Sequence, residues 1–71
     1  MRKKYKIEVD CANCALKMED AAKKVIGVKD VTINFIMQKM IVDFEDNVNE
    51  MFVMSEVRKA CKHVVPDSEI H

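Results

Sequence analysis

The sequence carries no net charge, because 12 Lys and Arg residues balance 12 Asp and Glu residues. There is therefore no basic field to attract nucleic acid, and we predict no nucleic-acid partner. No apolar run is long enough to cross a membrane. With 49% hydrophobic and 34% charged residues, the composition is that of a globular, soluble domain and not of a disordered chain.

The chain is also short, at 71 residues, and has only three cysteines. This length allows one small domain, with little room for a pocket that encloses a sizeable substrate. Arg2, Lys3 and Lys4 lead into an alternating segment and not into an apolar stretch, so no signal peptide is predicted. Since an odd number of cysteines also argues against a disulfide-stapled secreted fold, we expect reduced thiols and a cytoplasmic location.

Two of the cysteines form a Cys-x-x-Cys pair, Cys11 and Cys14, directly after Asp10 and directly before a helical pattern. We expect Cys11 in a loop that leaves a strand and Cys14 at the start of a helix. Backbone N–H groups and the helix dipole at such a position stabilise both thiolates. A pair of this kind can bind a soft or borderline metal ion or cycle through a disulfide, and the spacing alone does not choose between them.

Hydrophobic periodicity predicts six elements. They are a strand at 5–9, a helix at about 14–25, strands at 31–35 and 40–44, a helix at about 49–61 and a short edge strand at 64–65. Asn13 is the predicted N-cap of the first helix, and Gly27, the only glycine, suits its C-terminal end. Met18, Met40 and Met54 fall on the apolar stripes and are predicted to be core residues, not copper ligands.

The order β-α-β-β-α-β is typical of the α+β class. It predicts a ferredoxin-like sandwich, in which an antiparallel four-stranded sheet carries two helices on one face. No linker or low-complexity segment interrupts the pattern. We therefore predict one metal-binding domain at 1–66, followed by a flexible tail or the start of a linker at 67–71.

Taken together, the strand, the Cys-x-x-Cys loop, the helix ending near Gly27-Val28, the hairpin and the second helix resemble the heavy-metal-associated domain. Members usually carry Gly-Met before the x-Cys-x-x-Cys segment; here the glycine is missing and Val9 stands in the place of the methionine. The Asp10-Cys11 pairing resembles the Asp-Cys-x-x-Cys variant of the amino-terminal domains of zinc-, cadmium- and lead-exporting P-type ATPases. Copper-handling relatives typically have Thr, Ser or His before the first cysteine, where this chain has Asp10. The resemblance implies a binding domain and not an enzyme.

The residue types at the pair favour a divalent ion. Cu(I) is satisfied by two thiolates, whereas Zn(II) and Cd(II) prefer four ligands and accept a carboxylate among sulfurs. We therefore predict that Asp10, Cys11 and Cys14 bind Zn(II), Cd(II) or Pb(II), with Cu(I) as the alternative ion. A capping or helix-dipole role is the competing interpretation of Asp10. Cys61 and His63 are further candidate ligands, although Cys61 is more simply a core residue and His63 a surface residue.

Four functional hypotheses follow. The first is the cytosolic metal-binding domain of a heavy-metal export ATPase, whose partners are the ion and the rest of the ATPase or another metal-binding domain. The second is a free-standing metallochaperone, for Cu(I) among other ions, that transfers metal by exchange of thiolate ligands. The third is a thiol–disulfide oxidoreductase, weakened because the only proline, Pro66, lies far along the chain from the pair. The fourth is a structural zinc site formed by the three cysteines and His63. We expect a monomer, with a metal-bridged dimer as the alternative.

Overall fold

The computed structural model describes residues 2–71, so Met1, the first residue of the predicted domain, lies outside the described residues. The elements are β1 (Arg2–Glu8), α1 (Ala12–Lys23), β2 (Val28–Asn34), β3 (Lys39–Phe44), α2 (Glu50–Val64) and β4 (Glu69–Ile70). The sheet has the order β2-β3-β1-β4, and its strand pairs are antiparallel. The predicted ferredoxin-like fold is confirmed. Neither helix within residues 2–71 is both long and apolar enough to span a membrane.

Strand β1 lies inside the sheet, between β3 and β4. It pairs with β3 as far as Lys6 opposite Lys39, and with β4 through Ile7 opposite Ile70. The next residue after the strand, Val9, is buried. The Cys-x-x-Cys loop therefore starts from a central, anchored strand.

The core lies between the sheet and the two helices, which also contact each other. The three methionines predicted to lie in the core, Met18, Met40 and Met54, are at most 2% exposed. Their burial confirms the prediction, and it places three of the thioether sulfurs away from solvent.

Helix α1 begins earlier than predicted. Its N-cap is Cys11, whose backbone is extended (φ −140°, ψ 136°), and not Asn13. The Cys11 carbonyl accepts the first helical hydrogen bond, from the Ala15 N–H at 3.0 Å. Asn13 is therefore already inside the helix, and the predicted cap was wrong because Ala12 and Asn13 adopt helical geometry themselves.

Helix α2 and the final strand also differ from the prediction. Asn49 caps α2 by accepting a hydrogen bond from the Phe52 N–H at 3.2 Å. The helix continues to Val64, because Cys61 packs into the core and its carbonyl accepts the Val65 N–H at 2.8 Å. The edge strand predicted at 64–65 was therefore wrong.

The last strand, β4, instead lies within the segment predicted as a flexible tail, 67–71. A turn leads into it, in which the buried Ser68 donates to the Val65 carbonyl through both its N–H at 3.0 Å and its hydroxyl at 2.8 Å. After the strand, the His71 N–H donates to the Lys6 carbonyl at 2.7 Å. The end of the described chain is thus hydrogen-bonded along β1.

The backbone conformation at position 27 requires a glycine. Its φ is +101°, and a Cβ added there would lie 2.7 Å from the Cγ2 of Val53. We expect Gly27→Ala to lower the free energy of unfolding by about 1–3 kcal/mol, because alanine is strained at this φ and also meets Val53. Urea denaturation measures the loss. The matched control is Ile26→Ala, next to it but 95% exposed, which should change the stability by less than about 0.5 kcal/mol. Equal effects of the two variants would contradict this account.

Candidate metal centre

The two cysteines of the pair lie at the N-terminal end of α1, just after the short connection from β1. Cys11 is the N-cap and is exposed, whereas Cys14 is in the first helical turn and is half-buried. Only Asp10 and Cys11 connect the buried Val9 to the helix. The thiols are therefore held between the sheet and the helix, with Cys11 facing solvent and Cys14 packed partly against the core.

The two thiols differ in their acidity. The pKa of Cys11 is lowered, chiefly because the backbone N–H of Cys14 stabilises its thiolate, and further by the Cys14 thiol and the Asn13 N–H. The side chain of Cys11 forms no capping hydrogen bond. We therefore assign the stabilisation by the N–H groups to the thiolate and not to the neutral thiol. The pKa of Cys14 is raised, mainly because its thiol is hydrogen-bonded to Cys11, then by desolvation and by the charge of Cys11. The expectation of two low-pKa thiolates was therefore wrong for Cys14.

Lys17 is a residue that the sequence interpretation missed. Its side chain is exposed, and its ammonium group lowers the pKa of both Cys11 and Cys14. It follows Cys14 by three residues on α1, a spacing that places two side chains on the same side of a helix. This spacing is the feature of the sequence from which the position of Lys17 beside the cysteine pair could have been predicted. Lys17 partly offsets the negative charge that the pair acquires.

The charge of Asp10 contributes to the raised pKa of Cys14, but among residues 2–71 its carboxylate does not join the thiols as a metal-binding group. It is exposed, and none of the hydrogen bonds or ion pairs within residues 2–71 uses its side chain. It is not the N-cap, since Cys11 occupies that position. Within the same residues, no three side chains of His, Cys, Asp or Glu converge as a metal-binding group. Ligation by Asp10 together with both cysteines therefore requires a change in the position of its carboxylate.

Cys61 and His63 are not brought to the pair. Cys61 is fully buried, its thiol lies 3.6 Å from the Met18 carbonyl oxygen, and burial raises its pKa to about 11. His63 is exposed in the last turn of α2, beside a shallow groove that Lys17 and Asp20 also line. Across the described part of the chain, the four residues of the hypothetical structural zinc site do not assemble.

Cys61 gives the fold a dependence on alkaline pH. Its pKa is about 11 in the folded protein against an ordinary value of 9.0, so the unfolded chain loses this proton first. The contribution to stability is fully present below about pH 9 and is lost as the pH rises towards about 11. We expect it to amount to roughly 2–3 kcal/mol. Urea unfolding under reducing conditions across this range should show a smaller fall for Cys61→Ala than for wild type. Parallel curves would contradict the assignment.

The unequal thiols predict an order of alkylation. In the native, metal-free protein at neutral pH, iodoacetamide should modify Cys11 first and Cys14 more slowly, because the thiolate is the nucleophile. Cys61 should react only after denaturation. Peptide mass spectrometry over time measures the order. Modification of Cys61 before either residue of the pair would be inconsistent with the core position of its thiol.

Comparison with known proteins identifies the family of this chain. The family model of the heavy-metal-associated domain matches residues 4–63. A zinc/cadmium/lead-transporting P-type ATPase of Shigella sonnei is 38% identical over 52 residues, which are 73% of this chain but only 7% of that ATPase. The chain thus corresponds to a small part of this relative.

Two solved structures have the same fold. The N-terminal domain of ZntA in its apo form has a TM-score of 0.71 at 27% identity, with 99% of this chain and 88% of that chain covered. A CopZ metallochaperone has a TM-score of 0.76 at 18% identity, and both chains are fully covered. The resemblance stated from the Asp-Cys-x-x-Cys loop is confirmed. The chain belongs to the heavy-metal-associated domain family.

Proposed function

We propose that this chain is the cytosolic metal-binding domain of a P-type ATPase that exports Zn(II), Cd(II) or Pb(II). Cys11 and Cys14 bind the ion, and Asp10 supplies a third ligand. The observation that carries the proposal is the thiol pair at the start of α1, in which Cys11 is exposed and has a lowered pKa and follows directly after the Asp10 carboxylate. The domain binds the ion as a monomer and performs no catalysis on it.

The difference between the thiols sets the order of binding. Cys11 loses its proton more easily than Cys14, and its thiolate binds the ion first. The positive charge of the ion then favours loss of the Cys14 proton, since metal binding to thiols releases protons. Cys11 is exposed, so a ligand from a partner can reach it. This accessibility suits an ion that is received and passed on.

The charge of the ligand set favours a divalent ion. Two thiolates and one carboxylate around a divalent cation leave a net charge of minus one, whereas Cu(I) in the same site leaves minus two. Zn(II) and Cd(II) also accept an oxygen ligand among sulfurs, and water can complete four-coordination. The similarity to a zinc/cadmium/lead-transporting ATPase supports the same group of ions.

A second candidate is a free-standing metallochaperone that carries Cu(I). The observation in its favour is that, within residues 2–71, no third potential ligand joins the two thiols as a metal-binding group. Two thiolates are sufficient for Cu(I), and the fold is shared with a CopZ metallochaperone. In this case transfer proceeds by exchange of thiolates with a partner.

Competitive titration under reducing conditions tests the proposal. The metal-free protein is titrated with Zn(II), Cd(II), Pb(II) and Cu(I) against chelators of known affinity. We expect each chain to bind one divalent ion, and we expect Cu(I) to displace that ion only when Cu(I) is in excess. Exclusive retention of Cu(I) under equal buffering would favour the chaperone. Sequencing the gene downstream of the His71 codon provides an independent check, because the ATPase continues into hydrophobic spans.

A further inference from the structure

The turn between β2 and β3 reaches the strand that carries the metal loop. Gln38, in this turn, has a φ of +53°. Its Oε1 accepts a hydrogen bond from the Val9 N–H at 2.8 Å, over a sequence separation of 29 residues. Its Nε2 donates to the Phe35 carbonyl at 2.7 Å, and its own backbone carbonyl accepts the Ile7 N–H at 3.0 Å. One residue thus accepts hydrogen bonds from Ile7, near the end of β1, and from Val9, just after it.

The side chain of Gln38 replaces a missing piece of the sheet. The N–H groups of Ile7 and Val9 point to the same edge of β1, because alternate residues of a strand do so. The Ile7 N–H meets the Gln38 backbone, but β3 begins at Lys39 and the chain turns away at Gln38. The Gln38 amide oxygen takes the place that a further backbone carbonyl would have, and satisfies the buried Val9 N–H.

Val9 is the last fixed point before the site. Asp10 and Cys11 follow it directly, and the hydrogen bond from the Ala15 N–H to the Cys11 carbonyl, at 3.0 Å, fixes the far end of the loop. Without the Gln38 contact, the hydrogen bonds among residues 2–71 fix the loop at its helix end but not at Val9. Side chains that hold a ligand loop in its binding geometry raise affinity by lowering the ordering cost of binding.

We propose that Gln38 is a positioning residue for the metal loop, which fixes Val9 and so sets the direction in which the chain enters Asp10 and Cys11. This inference rests on the proposed binding of metal by the cysteine pair. Gln38 touches neither thiol, and it acts on the metal only through the backbone of Val9.

Two substitutions separate this role from simple support of the turn. Gln38→Asn keeps an amide and tolerates positive φ, but it is one methylene too short to reach Val9. Gln38→Glu keeps the length and an acceptor for the Val9 N–H, and loses the donor to Phe35. The matched control is Asn34→Ala, at the last residue of β2 before the same turn. The Asn34 side chain accepts from the Met37 N–H at 3.0 Å and makes no contact with Val9 among its hydrogen bonds.

The experiment measures two quantities on each full-length variant: the exchange rate of the Val9 amide in the metal-free protein by NMR, and the Cd(II) affinity by competition. For Gln38→Asn we expect Val9 exchange to be at least about 10-fold faster and Cd(II) binding about 10-fold weaker, on the scale of lost supporting contacts at metal sites. Gln38→Glu should change both quantities less than Gln38→Asn does, because it keeps an acceptor for the Val9 N–H while losing only the bond to the Phe35 carbonyl. Asn34→Ala should leave both unchanged, even where it alters the unfolding midpoint.

An unchanged exchange rate of the Val9 amide in Gln38→Asn would overturn the inference. If wild type binds Cd(II), an unchanged Cd(II) affinity of Gln38→Asn would overturn it as well. An equal effect of Asn34→Ala would also overturn it, because the turn as a whole would then be responsible. If wild type itself binds no metal ion, the proposed function fails. The exchange rate of Val9 still decides in that case whether Gln38 holds the loop.

Discussion

Replacing either Cys11 or Cys14 by serine is expected to abolish stoichiometric binding of Zn(II) and Cd(II). A single thiolate does not hold the ion against water and buffer, and the neutral serine hydroxyl is a poor ligand. The fold should survive, because Cys11 is exposed and Cys14 lies only at the margin of the core. The sulfur-to-Cd(II) charge-transfer absorbance measures binding, and circular dichroism of the metal-free variants reports the fold.

Cys61→Ala is the matched control for the loss of a cysteine. It removes a fully buried thiol, so we expect a loss of roughly 1–3 kcal/mol of stability and little change in metal affinity. A serine variant of the pair that binds Cd(II) as wild type does would contradict the site. Metal-free wild type that is unfolded would instead indicate a structural zinc centre, for which loss of metal is loss of folding free energy.

Asp10→Ala is expected to weaken Zn(II) and Cd(II) about 10- to 100-fold and Cu(I) far less, taking the effect of disturbing outer-shell partners as a guide. The remaining two thiolates are adequate for Cu(I) but not for an ion that prefers four ligands. Competition titrations of the three ions with the variant and with wild type measure the difference.

Asp10→Asn is the control that preserves the size and polarity of the side chain but removes its charge. The N-cap of α1 is Cys11 and not residue 10. The ability of an asparagine at residue 10 to cap a helix is therefore not expected to matter. Asn should therefore resemble Ala if the carboxylate binds the ion. A uniform fall across all three ions, rescued by Asn, would refute the ligand role and favour the copper carrier.

The fold could be predicted because its burial patterns are regular. The apolar stripes of the two helices placed Met18 and Cys61 in the core, and both are fully buried. The last strand could not be found in this way, because β4 has only two residues and no alternation to detect. The apolar pair at 64–65 was the stronger local signal, but packing of α2 extended the helix through Val64.

The candidate site could be predicted only in part. The spacing of Cys11 and Cys14 and their place before a helix are local properties, and the sequence contains them. Their unequal acidity depends on which sulfur the first-turn N–H groups and the neighbouring thiol stabilise, which only the three-dimensional arrangement determines. The contact between Gln38 and Val9 joins residues that are 29 positions apart, so no local pattern predicts it.

The most direct measurement of the central claim is X-ray absorption of the Cd(II) complex, on protein shown to be monomeric by analytical ultracentrifugation. If Cys11 and Cys14 hold the ion with Asp10 and water, the spectrum fits two sulfur ligands and additional oxygen ligands per Cd(II). Three sulfurs per ion in a monomer would mean that Cys61 has left the core to join the site. One sulfur or none would contradict the thiol pair itself.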